Sequence, residues 1–472
     1  MTLHLAAVLN GTEGRALEPS DTALRTARLD VADLARPISG VVIDSRLVEP
    51  ASIFVALPGA AADGHNHLVE AWSKGASAAL VSRTEVDVPL QRNQLVIRVP
   101  DTLTALQGLA AYWRAQHRLA VVAVTGSVGK TTAKEVIASL LQQSFLTLRN
   151  QGNLNTEIGL PLTLLNLRSE HRAAVLEMGM YAAGDIALLA EIARPEVGVV
   201  TNVAPVHLER MGSIERIAAA KAELVNHLPA HGLAVLNADD PWTLAMGRAA
   251  RVEACLIGFD EAADFRATNV ELDGLTGVRF DLRAEGRLMS IRAPIPGRHT
   301  VYAILAAAAV ARRLGLGWDH IVDGLRRVQT VGRQQITRSG AMTIIDDSYN
   351  AAPMSVTAAL ELLGMASGRR IAVLGDMLEL GAEEEQAHRQ VGARAAKVAD
   401  WLVVRGDRSN WIADAALDGG LKSERIRRVA SNEQAIEQVR DIASAGTSCS
   451  VLVKGSLGMH MKEVVDGLAG PA

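Results

Sequence analysis

Aromatic side chains are scarce in this 472-residue chain, at 3%, although 49% of its residues are hydrophobic. Ala, Leu and Val must therefore carry most of the packing, and that much apolar content excludes a disordered chain. Cysteine is nearly absent. Cys255 and Cys449 are too few and too far apart for a metal motif, while spacing alone leaves a disulfide open beside the plainer reading of two cytosolic thiols. The two charges nearly balance: 48 Lys and Arg against 52 Asp and Glu give a formal charge of -4. That balance argues against a general nucleic-acid binder and leaves room for a local basic pocket. "MTLHLAAVLN" at the N-terminus lacks a basic stretch followed by a sustained apolar run, and "ILAAAAVARRLGLG" is interrupted by arginines too soon to favour a membrane span. A cytoplasmic protein without integral membrane association is expected.

The length allows more than one core and two or three domains. "GVVIDSR", "SIFVALPGAAADGHNH" and "GASAALV" suggest short strands of a small α/β domain, with a boundary near residue 100. "PDTLTALQGLAAYWRAQHRL" reads as an amphipathic helix. Further on, "RAAVLEMG", "EVGVVTNV" and "GLAVLNAD" are strand candidates separated by the helical patterns "GDIALLAEIARP" and "SIERIAAAKAELVNHL". Recurrent β-to-α switching predicts a mainly parallel sheet covered by helices, with ligand sites at the strand ends. After about residue 328, "MTIIDDSYNAAP", "RRIAVLGDM", "WLVVRG" and "CSVLVKGS" supply another α/β series. The expected domains are 1–100, 101–328 and 329–472.

"VVAVTGSVGKTTAKEV", residues 121–136, places a β-branched run before glycine, lysine and two threonines. Such a strand can turn into a helix whose first N–H groups face a phosphate. Gly126, Ser127, Val128, Gly129, Lys130, Thr131 and Thr132 are the nucleotide-binding candidates, with Lys130 as mobile cation and the Thr131 hydroxyl as a magnesium ligand. The first glycine of the pattern GxxxxGK[ST] is missing, because Val124 occupies its position. An accidental lysine in a tight turn is the competing reading. Glu177, after "RAAVL", and His207, beyond "VGVVTNV", could ligate a metal near the phosphates, or be a surface carboxylate and a hydrogen-bonded loop imidazole. Lys221, in an Ala-rich helical segment, could simply snorkel to solvent. Reaction with carbon dioxide would instead convert it to an anionic carbamate.

In their order along the chain, "DSR", "DGHNH", "TGSVGKTT", "TNVAPVHLERMGS", "DDSYNAAP", "LGDMLELG" and "KGS" resemble the Mur ligase family over nearly the whole length. The resemblance implies an α/β fold in three domains: a uridine-nucleotide domain, a central P-loop ATPase-like domain, and a Rossmann-like C-terminal domain that closes over the reaction. The implied activity is ATP-dependent, magnesium-assisted amide-bond formation in peptidoglycan precursor synthesis, joining D-alanyl-D-alanine to UDP-N-acetylmuramoyl-tripeptide in a monomeric enzyme. It further implies that Lys130 stabilises phosphate and that Thr131, Glu177, His207 and a carbamylated Lys221 form the metal environment. Lys130, His207 and Lys221 are the expected catalytic set. Arg333, Asp347 and Asn350 are the implied nucleotide contacts, and Ser45, Arg46, Asp63 and His65 those for the uridine nucleotide. Thr156, Thr300, Ala303 and Ala352 stand where the family often has asparagine, so side-chain amide contacts are lost there. A relative adding a single diamino acid is the alternative enzyme, disfavoured by the absence of "DNPR"; a nucleotide-binding scaffold without ligation is the alternative of another class.

Overall fold

The computed structural model describes residues 2–19, 24–26, 29–59, 62–83, 94–206, 208–328, 335–444 and 448–470. The chain divides into two compact units, the first comprising Met1–Ala123, Phe145–Met180 and Gly184–Glu196, and the second Val124–Ser144, Tyr181–Ala183 and Val197–Ala472.

In the first unit, Val41–Val42, Ile53–Val55, Ala78–Val81 and Leu95–Arg98 pair in parallel, and Arg15–Pro19 adds antiparallel to Leu95–Arg98. Ile53–Val55 and Ala78–Val81 are buried at every position, as parallel strands covered on both faces require. Phe54, Leu68, Ala71, Trp72 and Val96 fill one side of this sheet. The expected amphipathic helix is Thr102–Ala115; Asp101 caps it by accepting from the N–H of Thr104 at 2.7 Å. Thr147–Arg149 and Ala173–Glu177 form another parallel pair in this unit.

The second unit holds two α/β series. In the earlier one, Val197–Val200, Leu233–Asn237, Glu253–Gly258 and Phe265–Leu272 pair successively in parallel. Val278–Ala284 and Arg287–Ala293 then continue antiparallel. The β-to-α alternation of the sequence predicts only the parallel part. Val278–Ala284 alternates buried and less buried positions, and the two strands are joined by Glu285 and Gly286 at φ 50° and 72°, the positive-φ pair of a tight hairpin. "ILAAAAVARR" belongs to the helix Thr300–Arg313, where Ala306–Ala311 are all at most 2% exposed, so this apolar run is a packed interior helix. Among the described residues no helix is long and apolar enough to cross a membrane.

The later series has the strand order Gln335–Ser339, Met342–Asp346, Cys449–Lys454, Arg369–Gly375, Trp401–Arg405, Ile426–Val429. All its pairings are parallel except the first hairpin. Helices cover both faces and enclose two separate apolar clusters, one around Leu360, Leu374 and Val391 and the other around Val373, Val439 and Val464. The return of Cys449–Lys454 between strands from earlier in the chain brings residues about a hundred positions apart to one sheet edge.

Candidate functional site

The strand Ala120–Thr125 is buried from Val121 onward, and the turn out of it begins at Gly126. Gly126 has φ 145°, and a Cβ there would lie 1.9 Å from Thr201 Oγ1. Gly126 thus takes the close turn, while Val124 remains wholly buried in the strand, which explains why the missing first glycine is tolerated. Gly129, at φ 83°, is the N-cap of the helix Lys130–Leu141 and contributes no side-chain cap. A loop that ends this way presents the positive end of a 12-residue helix.

The loop is held from below by "TNVA". Thr201 Oγ1 and Asn202 Nδ2 both donate to the Val128 carbonyl, at 2.7 and 2.9 Å, and the Val128 N–H donates to Asn202 Oδ1 at 3.0 Å. Ser127 Oγ donates to the Ala204 carbonyl and accepts from its N–H. Ser127 is thus a scaffold residue of the loop. Lys130 Nζ folds back onto the carbonyls of Gly126 and Ser127, at 2.8 and 3.3 Å.

A cavity of about 360 Å³ opens above the loop, lined by Thr131, Asn237, Tyr302, Asp347, Asn350 and Lys454 among others. Its size suits a small-molecule ligand. Asp347 and Asn350 therefore share a wall with the phosphate-loop candidates. Lys454, at the end of "CSVLVK", was not singled out from the sequence. Its Nζ donates to Asp347 Oδ2 at 2.6 Å and to the Asn350 carbonyl at 2.9 Å, and both charged side chains are buried. A lysine closing a wholly buried strand is the available signal.

A second hollow, about 720 Å³, adjoins the first and shares Val128, Asp239, His299 and Tyr302 with it. Asp239 accepts from the N–H groups of Phe259 and Asp260 and from Tyr302 Oη, each at 2.8 Å. Arg298 lies over the Phe259 ring, 4.3 Å from its centroid, and Phe259 meets Tyr302 edge to face at 5.1 Å. Burial, reinforced by the hydrogen bond to Asp239 and its charge, raises the Tyr302 phenol well above its ordinary range. Of the residues standing in for asparagines, Ala303 and Ala352 line the first cavity, while the Thr300 hydroxyl donates to the Gly297 carbonyl at 2.7 Å. Thr156 Oγ1 accepts from the N–H of Gly159.

Lys221 is 2% exposed on the helix Ile214–Asn226, on the same face as Ile217, Ala220 and Leu224. Solvent snorkelling is therefore excluded. Burial first, and the positive charge of Lys130 second, push its pKa well below that of an ordinary lysine. In the first unit Glu177 is likewise buried, at 2%, rather than on the surface; Asn155 Nδ2 donates to its Oε1 at 2.9 Å and Asn150 braces its backbone. His207 and Arg333 lie outside the described residues. Among the described residues no three His, Cys, Asp or Glu side chains gather as a metal cluster.

The remaining first-unit candidates are engaged by neighbouring groups of that unit. Ser45 Oγ donates to Glu70 Oε2 at 2.6 Å, and Arg46 pairs with Asp44. Asp63 accepts from the His65 N–H and from Arg83, and engages His65 Nδ1 at 2.6 Å; His65 Nε2 accepts from the Ser82 N–H at 3.0 Å. These bonds assign His65 the neutral Nδ1–H tautomer.

Three domain families match in order: "Mur ligase family, catalytic domain" at residues 37–114, "Mur ligase middle domain" at 124–311 and "Mur ligase, glutamate ligase domain" at 326–457. The chain belongs to the Mur ligase family. Among its relatives, the UDP-N-acetylmuramoyl-tripeptide--D-alanyl-D-alanine ligase of Escherichia coli K12 is 38% identical over 456 residues, covering 95% of this chain and 97% of that one. The crystal structure of MurF from Acinetobacter baumannii superposes with a TM-score of 0.86 at 31% identity, covering 99% of both chains. MurF ligase from Thermotoga maritima, solved in complex with ADP, gives 0.79 at 30% identity over 91% of this Mur ligase and 97% of that one.

Proposed function

We propose that this Mur ligase joins D-alanyl-D-alanine to UDP-N-acetylmuramoyl-tripeptide, using ATP and passing through an acyl phosphate, to make the UDP-linked pentapeptide precursor of peptidoglycan. The observation that carries the reading is the uncapped helix N-terminus behind Gly126–Gly129, in a chain similar from end to end to ligases named for this reaction. The ADP complex of the Thermotoga maritima relative supports a nucleotide in the cavity above the loop. The reaction is assigned to the cytoplasm, with domains 1–100, 101–328 and 329–472 for uridine nucleotide, ATP and incoming dipeptide.

A carboxylate oxygen of the tripeptide attacks the γ-phosphorus of ATP, and ADP leaves with the bridging oxygen. The dipeptide amine then attacks the activated carbonyl carbon, phosphate departs with the electron pair of the broken C–O bond, and the amine nitrogen loses a proton. Phosphate is a far better leaving group than the oxide of a free carboxylate, which is why the detour is needed. In this reading Gly126 to Thr132 cradle the phosphates, and rotation of the Lys130 side chain off the loop carbonyls brings its cation to the transferring group. Asp347, held by Lys454, and Asn350 face the nucleotide, joined by Arg333.

Magnesium, when bound, offsets the negative charge of the phosphates. The Thr131 hydroxyl and the Glu177 carboxylate are hard oxygen donors of the type it prefers, and Asn155 orients the latter. His207 and a carbamylated Lys221 complete that environment. The depressed pKa of Lys221 supports carbamylation, since the neutral amine is the form that reacts with carbon dioxide. Ser45 and Arg46 hold the uridine nucleotide, while Asp63 and His65 brace a turn of the same domain.

Mass spectrometry of the nucleotide product tests the assignment. ADP and phosphate should form only when ATP, magnesium, UDP-N-acetylmuramoyl-tripeptide and D-alanyl-D-alanine are all present, and comparing diaminopimelate- and lysine-containing tripeptides identifies the preferred acceptor. Addition of a single diamino acid to a UDP-dipeptide, with no dipeptide adduct, would replace this assignment with the other branch of the family.

A further inference from the structure

The two adjoining cavities share the rim formed by Asp239, His299 and Tyr302, while the phosphate loop lines the first and the Arg298–Phe259 stack lines the second. A nucleotide with its phosphates on the loop therefore has a flat, aromatic and cationic surface available for its base, and stacking on such a surface tolerates any base. Discrimination needs polar groups. Thr300 has given its hydroxyl hydrogen to the Gly297 carbonyl, and Ala303 presents only a methyl group. Tyr302 is the rim hydroxyl, and its hydrogen is committed to Asp239.

We propose that Tyr302, held by Asp239, sets the selectivity of the site for an amino-purine over an oxo-purine nucleotide. With its hydrogen donated to Asp239, the Tyr302 oxygen can only accept from a ligand, and the Asp239 carboxylate beside it is also acceptor-only. An exocyclic amine at purine position 6 donates to this rim. A carbonyl there meets lone pairs and negative charge. Loss of the phenolic proton is no escape, since burial and Asp239 keep Tyr302 protonated. Arg298 and His299 are the competing donors at this rim, but the Arg298 guanidinium lies over the Phe259 ring, which suits it to base stacking more than to reading an edge, and the preference that Tyr302→Phe leaves behind measures what His299 contributes.

This inference rests only on the nucleotide part of the proposed function. Calorimetry with ADP and IDP, which differ in the purine 6-amine or 6-carbonyl and the N1 proton that goes with the carbonyl, tests it on the full chain without requiring ligation. ADP should bind about ten-fold more tightly than IDP, equivalent to about 1.4 kcal/mol. Tyr302→Phe, which keeps the ring and removes the oxygen, should cut that preference to less than about three-fold by weakening ADP and not IDP. Phe259→Leu should weaken both nucleotides by a similar factor and preserve the preference. Equal binding of ADP and IDP by the unaltered chain, or the same preference in Tyr302→Phe, would overturn the proposal; so would loss of the preference in Phe259→Leu. A chain that shows the preference yet never forms the pentapeptide product would refute the ligase assignment alone.

Discussion

Two polar turns, one in each unit, use similar residues in opposite ways. At Asp63–His67 the acidic side chain, the imidazole and Arg83 bind one another and the backbone, so the polar groups are consumed in holding the turn against Ser82. At Gly126–Thr132 the fastening comes from outside, from Thr201, Asn202 and Ala204, and the loop's own cation donates to the backbone carbonyls of Gly126 and Ser127. A turn that satisfies itself is a scaffold. A turn fastened by its neighbours can keep its helix N-terminus for a ligand.

The largest expected effect is therefore a catalytic one without a structural one. Lys130→Ala should reduce ligation at saturating ATP by about a thousand-fold or more, while the thermal midpoint stays within a few degrees of the unaltered chain, because the surrounding packing is apolar. Near-normal turnover would remove Lys130 from phosphoryl transfer and break the contrast.

Lys221 sharpens it from the other side, as a buried amine facing the charge of Lys130. Lys221→Ala should lower activity by about a hundred-fold, a loss of the size seen when a metal's surroundings are disturbed. In the unaltered protein a carbon-13 carbamate signal should appear with labelled bicarbonate. Because its folded pKa is lowered, the neutral, reactive amine persists to lower pH than in an ordinary lysine, and the signal should fade only as acid protonates it. No carbamate signal under conditions of full activity would sink this role.

Gly126→Ala should damage both stability and activity. The new Cβ meets the Thr201 hydroxyl at a φ that L residues rarely adopt, and a loss of about 2 to 4 kcal/mol in urea unfolding is expected. Unchanged stability would mean that the loop is less tightly fastened than its hydrogen bonds imply.

The smallest effect belongs to the self-satisfied turn. The His65 N–H first, with help from His65 Nδ1 and Arg83, lowers the Asp63 carboxyl to about 2. Since this lies below the unfolded value, the stabilisation is complete above about pH 4 and is lost as pH falls towards about 2. Asp63→Asn should cost less than about 1 kcal/mol at neutral pH, the difference shrinking through that acid window, with little change in the KM for the UDP-tripeptide. A ten-fold rise in that KM at unchanged stability would make Asp63 a ligand-binding residue and erase the contrast.

Residues close in sequence wrote the parts that the chain alone determined. "VVAVTGSVGKTT" places a buried strand, a turn and a helix start in order, and "RAAVLE" and "CSVLVK" announce strands by their unbroken apolar runs, since local sterics and burial act over a few residues. The antiparallel strands after residue 277 were harder to read, because half-exposed strands dilute the apolar signal that marks a buried one. Tertiary structure alone decided which distant groups meet. Nothing local in "KGS" says that Lys454 neutralises Asp347, 107 positions earlier, or that Asp239 captures the hydroxyl of Tyr302, 63 positions later. Nor does "AAAKAE" reveal whether its lysine faces water, because the helical repeat fixes only which residues share a face, and the packing of that face against the rest of the fold determines that Lys221 is buried.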